Sequence, residues 1–137
     1  MKQCEQLDIR WKQRFIHFQR SFQLLKNTLA IQHPSEAERA GLIQFFEISF
    51  ELSWKVLKDY LEEEGFTISS PRDAIKQAFQ AGVIENGHVW IEALKDRNLT
   101  VHTYEEKIAL AVEKKIKGSY FPELQCFSVT FEAKFNA

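Results

Sequence analysis

Apolar residues recur at helical spacing along most of the chain. Trp11, Phe15, Phe18, Phe22, Leu25 and Leu29 step by 4, 3, 4, 3, 4. Such a seam predicts one long helix over about 5–31, packed lengthwise in a bundle and ended by Gln32, His33 and Pro34. Ser35 and Glu38 form an S-x-x-E capping box, which predicts a second helix from there to Glu64, with Gly65 as its stop. That helix carries two apolar stripes. Leu42, Phe46, Ser49, Ser53, Val56 and Tyr60 make one; Ile43, Phe50, Trp54, Leu57 and Leu61 make the other. Two stripes fit either a central helix with neighbours on both sides or a helix that also lines a subunit interface.

Ser70 followed by Pro71, with Asp73 in the first turn, predicts a short helix to about Ala81, with Gly82 beyond its end. Asn86-Gly87 reads as a turn, and Val89, Trp90, Ala93 and Leu94 as a fourth, short helix. Thr103 and Glu106 form a second capping box, which predicts a helix from there through Ile116, broken by the stretch from Gly118 to Pro122. The tail, residues 125–137, fits two periods. Phe127, Val129, Phe131, Ala133 and Phe135 alternate as a strand would; Leu124, Phe127, Phe131 and Phe135 lie on one helix face. A lone strand would lack a partner, so a helical or irregular tail is favoured. The expected architecture is a single all-α domain over 1–137: an antiparallel up-down four-helix bundle with an extra short helix.

Composition narrows function by exclusion. At 137 residues, 45% hydrophobic and 27% charged, the chain is an ordinary globular one. With 18 basic and 19 acidic residues the net charge is −1, which excludes a basic nucleic-acid surface as a property of the whole chain but leaves a local patch open. The cysteines, Cys4 and Cys126, lie far apart without ligand-spaced neighbours. A disulfide scaffold or zinc module is not expected, and free thiols fit a reducing cytoplasm. The sequence has no apolar run that would span a bilayer, so no membrane association is expected. Nucleotide-binding glycine loops, metalloprotease and serine-hydrolase motifs are missing, as is the Gly-Ser turn with a D-x-D pair expected of a nucleotidyltransferase catalytic domain. No metal or cofactor is called for.

The chemistry concentrates in Asp96-Arg97-Asn98-Leu99-Thr100-Val101-His102-Thr103-Tyr104. On an unbroken helix Arg97 and His102 would point about 140° apart. If a new helix starts at Thr103, a bend just before it turns His102 towards Arg97. Arg97 then offers a charged donor fork for phosphate oxygens, and His102 a group that moves a proton near neutral pH. The bland alternative pairs Arg97 with a carboxylate such as Asp96 or Glu92.

R-x4-H-x-Y, as Arg97, His102 and Tyr104, resembles the signature of HEPN domains. The runs FELSWKVLKDYLEEEGF (50–66), SPRDAIKQAFQAGVI (70–84) and WIEALKDRNLTVHTYEE (90–106) resemble the nucleotidyltransferase substrate-binding family, itself HEPN-like. The resemblance covers about 5–124, and the phenylalanine-rich tail departs from it. It implies a homodimeric helical bundle, prokaryotic, that partners a separate minimal nucleotidyltransferase and binds a nucleotide or RNA. Related HEPN members are ribonuclease toxins of toxin–antitoxin pairs. In them the residues matching Arg97 and His102 are catalytic, and the tyrosine matching Tyr104 receives AMP.

Glu51, Lys55 and Lys58 line one side of the second helix. They read as a solvated ion-pair stripe or as a cleft wall facing Arg97. Trp54 and Trp90 read as core residues before base-stacking platforms. The expected binding set is Arg97, Asn98, His102, Glu51, Lys55 and Lys58. A substrate-binding subunit leads; a metal-free ribonuclease and a purely structural dimerisation module are the rivals.

Overall fold

The structure is a computed structural model. It describes the backbone of residues 2–102 and 104–137, and the side chains of 9–98, 102 and 104–137. Its elements are α1 (Lys2–Leu29), α2 (Glu36–Glu63), α3 (Pro71–Gln80), α4 (Gly87–Asp96), a 3-10 segment (Arg97–His102), α5 (Glu106–Lys115), a π-helical turn (Ile116–Tyr120) and α6 (Phe121–Asn136). Among the described residues there is no strand. The chain is all-α, and no described helix is long and apolar enough to cross a membrane.

The α1 seam lies inward as its spacing demands: Trp11, Phe15, Phe18, Phe22 and Leu25 are all buried. Both stripes of α2 are covered within the one chain, because α2 contacts α1 along one side and α3, α5 and α6 on others. Small serines stand where α1 and α2 meet. Ser21 Oγ lies 2.9 Å from Ser49 Oγ, and Ser53 donates to the Phe50 carbonyl at 2.7 Å, so the buried hydroxyls are satisfied.

Helix ends follow their local chemistry. Ser35 and Glu38 make both halves of the capping box, at 3.1 and 2.9 Å. Gly65, at φ 102°, closes α2, and the Phe66 N–H returns to the Leu61 carbonyl at 3.0 Å. Gly82, at φ 77°, does the same for α3. Both ends are Schellman motifs, in which the left-handed residue is glycine because it has no Cβ to clash.

Two expectations about the second half are corrected. The Gly118 to Pro122 stretch does not break the helix. Pro122 has no N–H to give, and its ring would collide with the carbonyl four residues back. The chain absorbs this by widening one turn: the Phe121 N–H reaches back five residues to Ile116 O, and α6 proceeds from there. The expected start of α5 at Thr103 is also displaced. Thr103 itself lies outside the described residues. α5 begins at Glu106, after Glu105 in the N-cap position with no side-chain capping bond.

The tail adopts the helical period. Leu124, Phe127 and Phe131 are buried, whereas Val129, which the strand pattern would have placed beside them, is 60% exposed. Phe127 meets Phe18 edge-on at 4.9 Å, Trp90 at 5.8 Å and Phe131 at 4.7 Å between ring centroids. Phe131 in turn packs edge-on against Trp11 and Tyr60 at 5.6 and 5.3 Å. This aromatic spine joins α6 to α1, α2 and α4 and fixes where the segment following α4 emerges.

Candidate functional site

Arg97 continues the helical backbone of α4 into the 3-10 segment. Its neighbours are anchored one by one. Asp96 accepts a hydrogen bond from the Tyr120 hydroxyl, which comes from the π turn. Glu92, one turn earlier on α4, is paired with Lys115 at the end of α5. Arg97 reaches across to α2, where its Nη1 donates to Glu51 Oε1. The other Glu51 oxygen, Oε2, accepts from the Trp54 indole Nε1–H at 2.9 Å.

The titration of these groups follows from that arrangement. Burial, then the hydrogen bond and charge of Asp96, push the Tyr120 phenol above its ordinary range. The Lys115 ammonium, by hydrogen bond and charge, holds Glu92 below the usual carboxylate range.

Arg97 therefore does pair with a carboxylate, but with neither of its sequence neighbours. Asp96 and Glu92 are engaged elsewhere, and among the described residues Arg97 pairs with Glu51, from the stripe singled out on α2. The two lysines of that stripe contact other groups. Lys55 Nζ lies 5.9 Å from the Trp54 ring centroid, and Lys58 pairs with Glu62 at 3.6 Å. Asn98 and His102 are exposed. The bend expected before Thr103 takes the form of a 3-10 turn. With three residues per turn, positions five apart differ by about 120° and are separated by about 10 Å along the axis. Within one chain, Arg97 and His102 thus belong to different faces of their segment.

Tyr104 is 79% exposed, and its ring centroid lies 6.4 Å from that of His102. It stands over a groove of about 290 Å³ shared with Glu36, Arg39, Ala40, Glu106 and Ala109. Arg39 is tied there to Glu113 at 2.9 Å. Among the described residues, no group of three or more His, Cys, Asp or Glu side chains is gathered as a metal site.

The supporting residues that sequence reasoning misses are Trp54, Asp96 and Tyr120. Trp54 reads as core from its spacing; it is half-buried and acts through its N–H. Its position three residues after Glu51 puts both on one helix face, which is the available signal. Nothing in the spacing of Tyr120 points to Asp96.

Residues 13–133 match the family described as nucleotidyltransferase substrate binding protein like. The chain belongs to that family. The match takes in Glu51, Arg97, Asn98, His102 and Tyr104. It also runs beyond Leu124, where the tail was expected to depart from the family; the helical face of α6 explains why it does not. A crystal structure of ttk003001694 from Thermus thermophilus superposes with a TM-score of 0.73 at 30% identity, over 88% of this chain and 99% of that one. HI0074 from Haemophilus influenzae, described as having the fold of a substrate binding domain of a nucleotidyltransferase, has a TM-score of 0.67 at 24% identity, over 92% and 98%. The chain is also similar to a curated protein from H. influenzae (strain Rd), named probable ribonuclease HepT, being 33% identical over 82 residues, or 56% of each chain. It thus spans about half the length of that curated relative.

Proposed function

We propose that this family member is the substrate-binding partner of a separate nucleotidyltransferase, and that its Arg97 corner receives a phosphate of a nucleotide or RNA. The observation that carries this reading is the Arg97 guanidinium held by Glu51, in a chain of the family described as nucleotidyltransferase substrate binding protein like. The Arg97 side chain is 27% exposed, which leaves it within reach of a ligand, and its planar fork carries more donors than one carboxylate contact uses. Asn98, the next residue and exposed, supplies an amide donor beside it. Glu51 acts through Arg97, since a carboxylate repels phosphate, and Lys55 and Lys58 add positive charge farther along α2. The working unit is a homodimer. Because Arg97 and His102 lie on different faces of one segment, a second copy is what brings one of each to a single phosphate.

The test is co-expression with a minimal nucleotidyltransferase, followed by AMP titration of the purified complex. Co-elution is expected, with AMP binding at least about tenfold weaker in Arg97→Ala, the size of a lost charge-assisted hydrogen bond. Separate elution together with unchanged AMP affinity in Arg97→Ala would sink this reading.

One observation favours a second reading, a metal-independent ribonuclease: the 33% identity to a protein named probable ribonuclease HepT. Here His102 takes the proton from a 2′-hydroxyl as that oxygen attacks phosphorus. Arg97 stabilises the charge building there; the 2′-oxygen stays on phosphorus as a cyclic phosphate, and the 5′-oxygen departs with the proton that His102 returns. Tyr104, exposed beside His102, would be the residue nucleotidylated to silence the activity. RNA cleavage lost in both His102→Ala and Arg97→Ala, and an AMP mass gain absent from Tyr104→Phe, would establish it over the first.

A further inference from the structure

We infer that Trp54 is a positioning residue for the anion site: its indole N–H holds Glu51, and Glu51 holds Arg97. The inference rests on the reading of Arg97 as the phosphate-binding group.

The two oxygens of Glu51 have different partners. Oε2 accepts the indole N–H at 2.9 Å, and Oε1 takes the Arg97 Nη1 donor. Glu51 and Trp54 are three residues apart on α2, so helix geometry brings them together. α2 is a 28-residue helix with most of both apolar stripes buried, and the half-buried Trp54 ring packs on the core. Arg97, by contrast, opens a six-residue 3-10 segment, whose hydrogen-bond geometry is intrinsically poorer than that of an α-helix.

Glu51 and Arg97 are 30% and 27% exposed. Two long, partly hydrated side chains in such a pair gain little from each other and lose rotamer freedom in meeting. A third contact that fixes one of them lowers that cost. The indole does so: it is planar, has one donor, and is held by its own packing. The rigidity of α2 is thereby passed to the guanidinium through one carboxylate.

This differs from a purely electrostatic role for Glu51. If the carboxylate only set local charge, removing the indole N–H while keeping the ring would change nothing at Arg97. Trp54→Phe separates the two, because Glu51 keeps its charge and loses its anchor.

The experiment follows the Arg97 Nε–Hε and Trp54 Nε1–H resonances by NMR, assigned with Arg97→Lys and Trp54→Phe, alongside titration with AMP and with inorganic phosphate. In Trp54→Phe the Arg97 Nε–Hε signal is expected to shift and broaden as Glu51 loses its anchor. AMP affinity should fall about fivefold, less than the full worth of the charge-assisted indole–carboxylate bond, because that bond acts on AMP only through Arg97. An unmoved Arg97 signal in folded Trp54→Phe overturns the inference. If that variant does not fold, the converse measurement decides. In Arg97→Ala the Trp54 indole signal should shift as Glu51 loses its other partner, and an unmoved signal overturns the inference.

The two ideas fail separately. Coupled resonances with no AMP or phosphate binding by the wild type overturn the anion-site reading and leave the Trp54–Glu51–Arg97 linkage standing. Uncoupled resonances, with binding lost in Arg97→Ala, overturn the linkage alone.

Discussion

The aromatic spine and the Arg97 corner are built on opposite principles. In the spine, Trp11, Phe15, Phe18, Phe127 and Phe131 are buried and each touches several others. The contacts are non-directional, so loss of any one ring is felt by the whole core. At the corner the links are directional bonds between named atoms: Trp54 to Glu51, Arg97 to Glu51, Tyr120 to Asp96. Partly exposed pairs of this kind contribute little to stability, so the corner can be altered without unfolding the bundle. The fold supplies position, and the corner is left free to do chemistry.

The largest effect should come from breaking the spine. Phe127→Ala removes a ring that touches Phe15, Phe18, Trp90 and Phe131 at once. Chemical denaturation should show a loss of about 3–5 kcal/mol. A loss below about 1 kcal/mol would mean that the four rings do not act as one core.

Tyr120 belongs to both regions and sharpens the boundary between them. Its ring stacks on Phe46 at 5.5 Å, and its hydroxyl serves Asp96. Tyr120→Phe keeps the first and deletes the second, at an expected cost of about 1 kcal/mol. The wild type should carry a specific alkaline signature. The phenol's folded pKa is raised above its ordinary value of 10.0. Its contribution is therefore whole below about pH 10 and is lost as pH rises beyond that, because the unfolded chain sheds the proton first. Melting curves from about pH 8 to about pH 11 should show a steeper decline for the wild type than for Tyr120→Phe; parallel declines would remove Tyr120 from the account.

The spine was legible in the sequence and much of the corner was not, for a physical reason. Apolar burial requires only that side chains share a face, and spacing states that directly. Trp11 to Leu25, both α2 stripes, the Ser35 box and the Gly65 stop all follow from local rules. The pairing of Arg97 with Glu51 is a choice among 19 acidic residues, made where the 3-10 segment meets α2. Asp96 and Glu92 are nearer in sequence, but Tyr120 and Lys115 engage them. The π turn was hidden because glycine and proline together read as a stop, whereas a shift of the hydrogen-bond ladder by one residue accommodates both. In the tail two periods fitted equally well. The facing aromatic side chains of α1, which no local window contains, select the helical one.

The smallest expected effect tests whether the contrast holds inside the spine itself. Asp59 is a fully buried carboxylate on α2, next to Tyr60. Arg10 Nε and Arg14 Nε lie 3.5 and 3.4 Å from its oxygens, and among the described residues neither oxygen accepts a hydrogen bond. Burial pushes its pKa up, and the charges of Arg14, Arg10 and Lys58 only partly offset this. A raised carboxyl pKa means that the folded chain binds the proton more tightly than the unfolded one. The group's stabilising contribution is therefore full below its ordinary value of 3.8 and is lost as pH rises through the folded pKa. At about pH 7 the Asp59 carboxyl should be a net cost despite its two arginines, as buried pairs often are. Asp59→Asn keeps the shape and removes the charge. It should melt at or slightly above the wild type at about pH 7, by up to about 1 kcal/mol, and the gap should close as pH falls towards about 4. A variant several degrees less stable at neutral pH would show that the arginines more than repay the burial. Directional charge pairing would then support the spine as well as the corner.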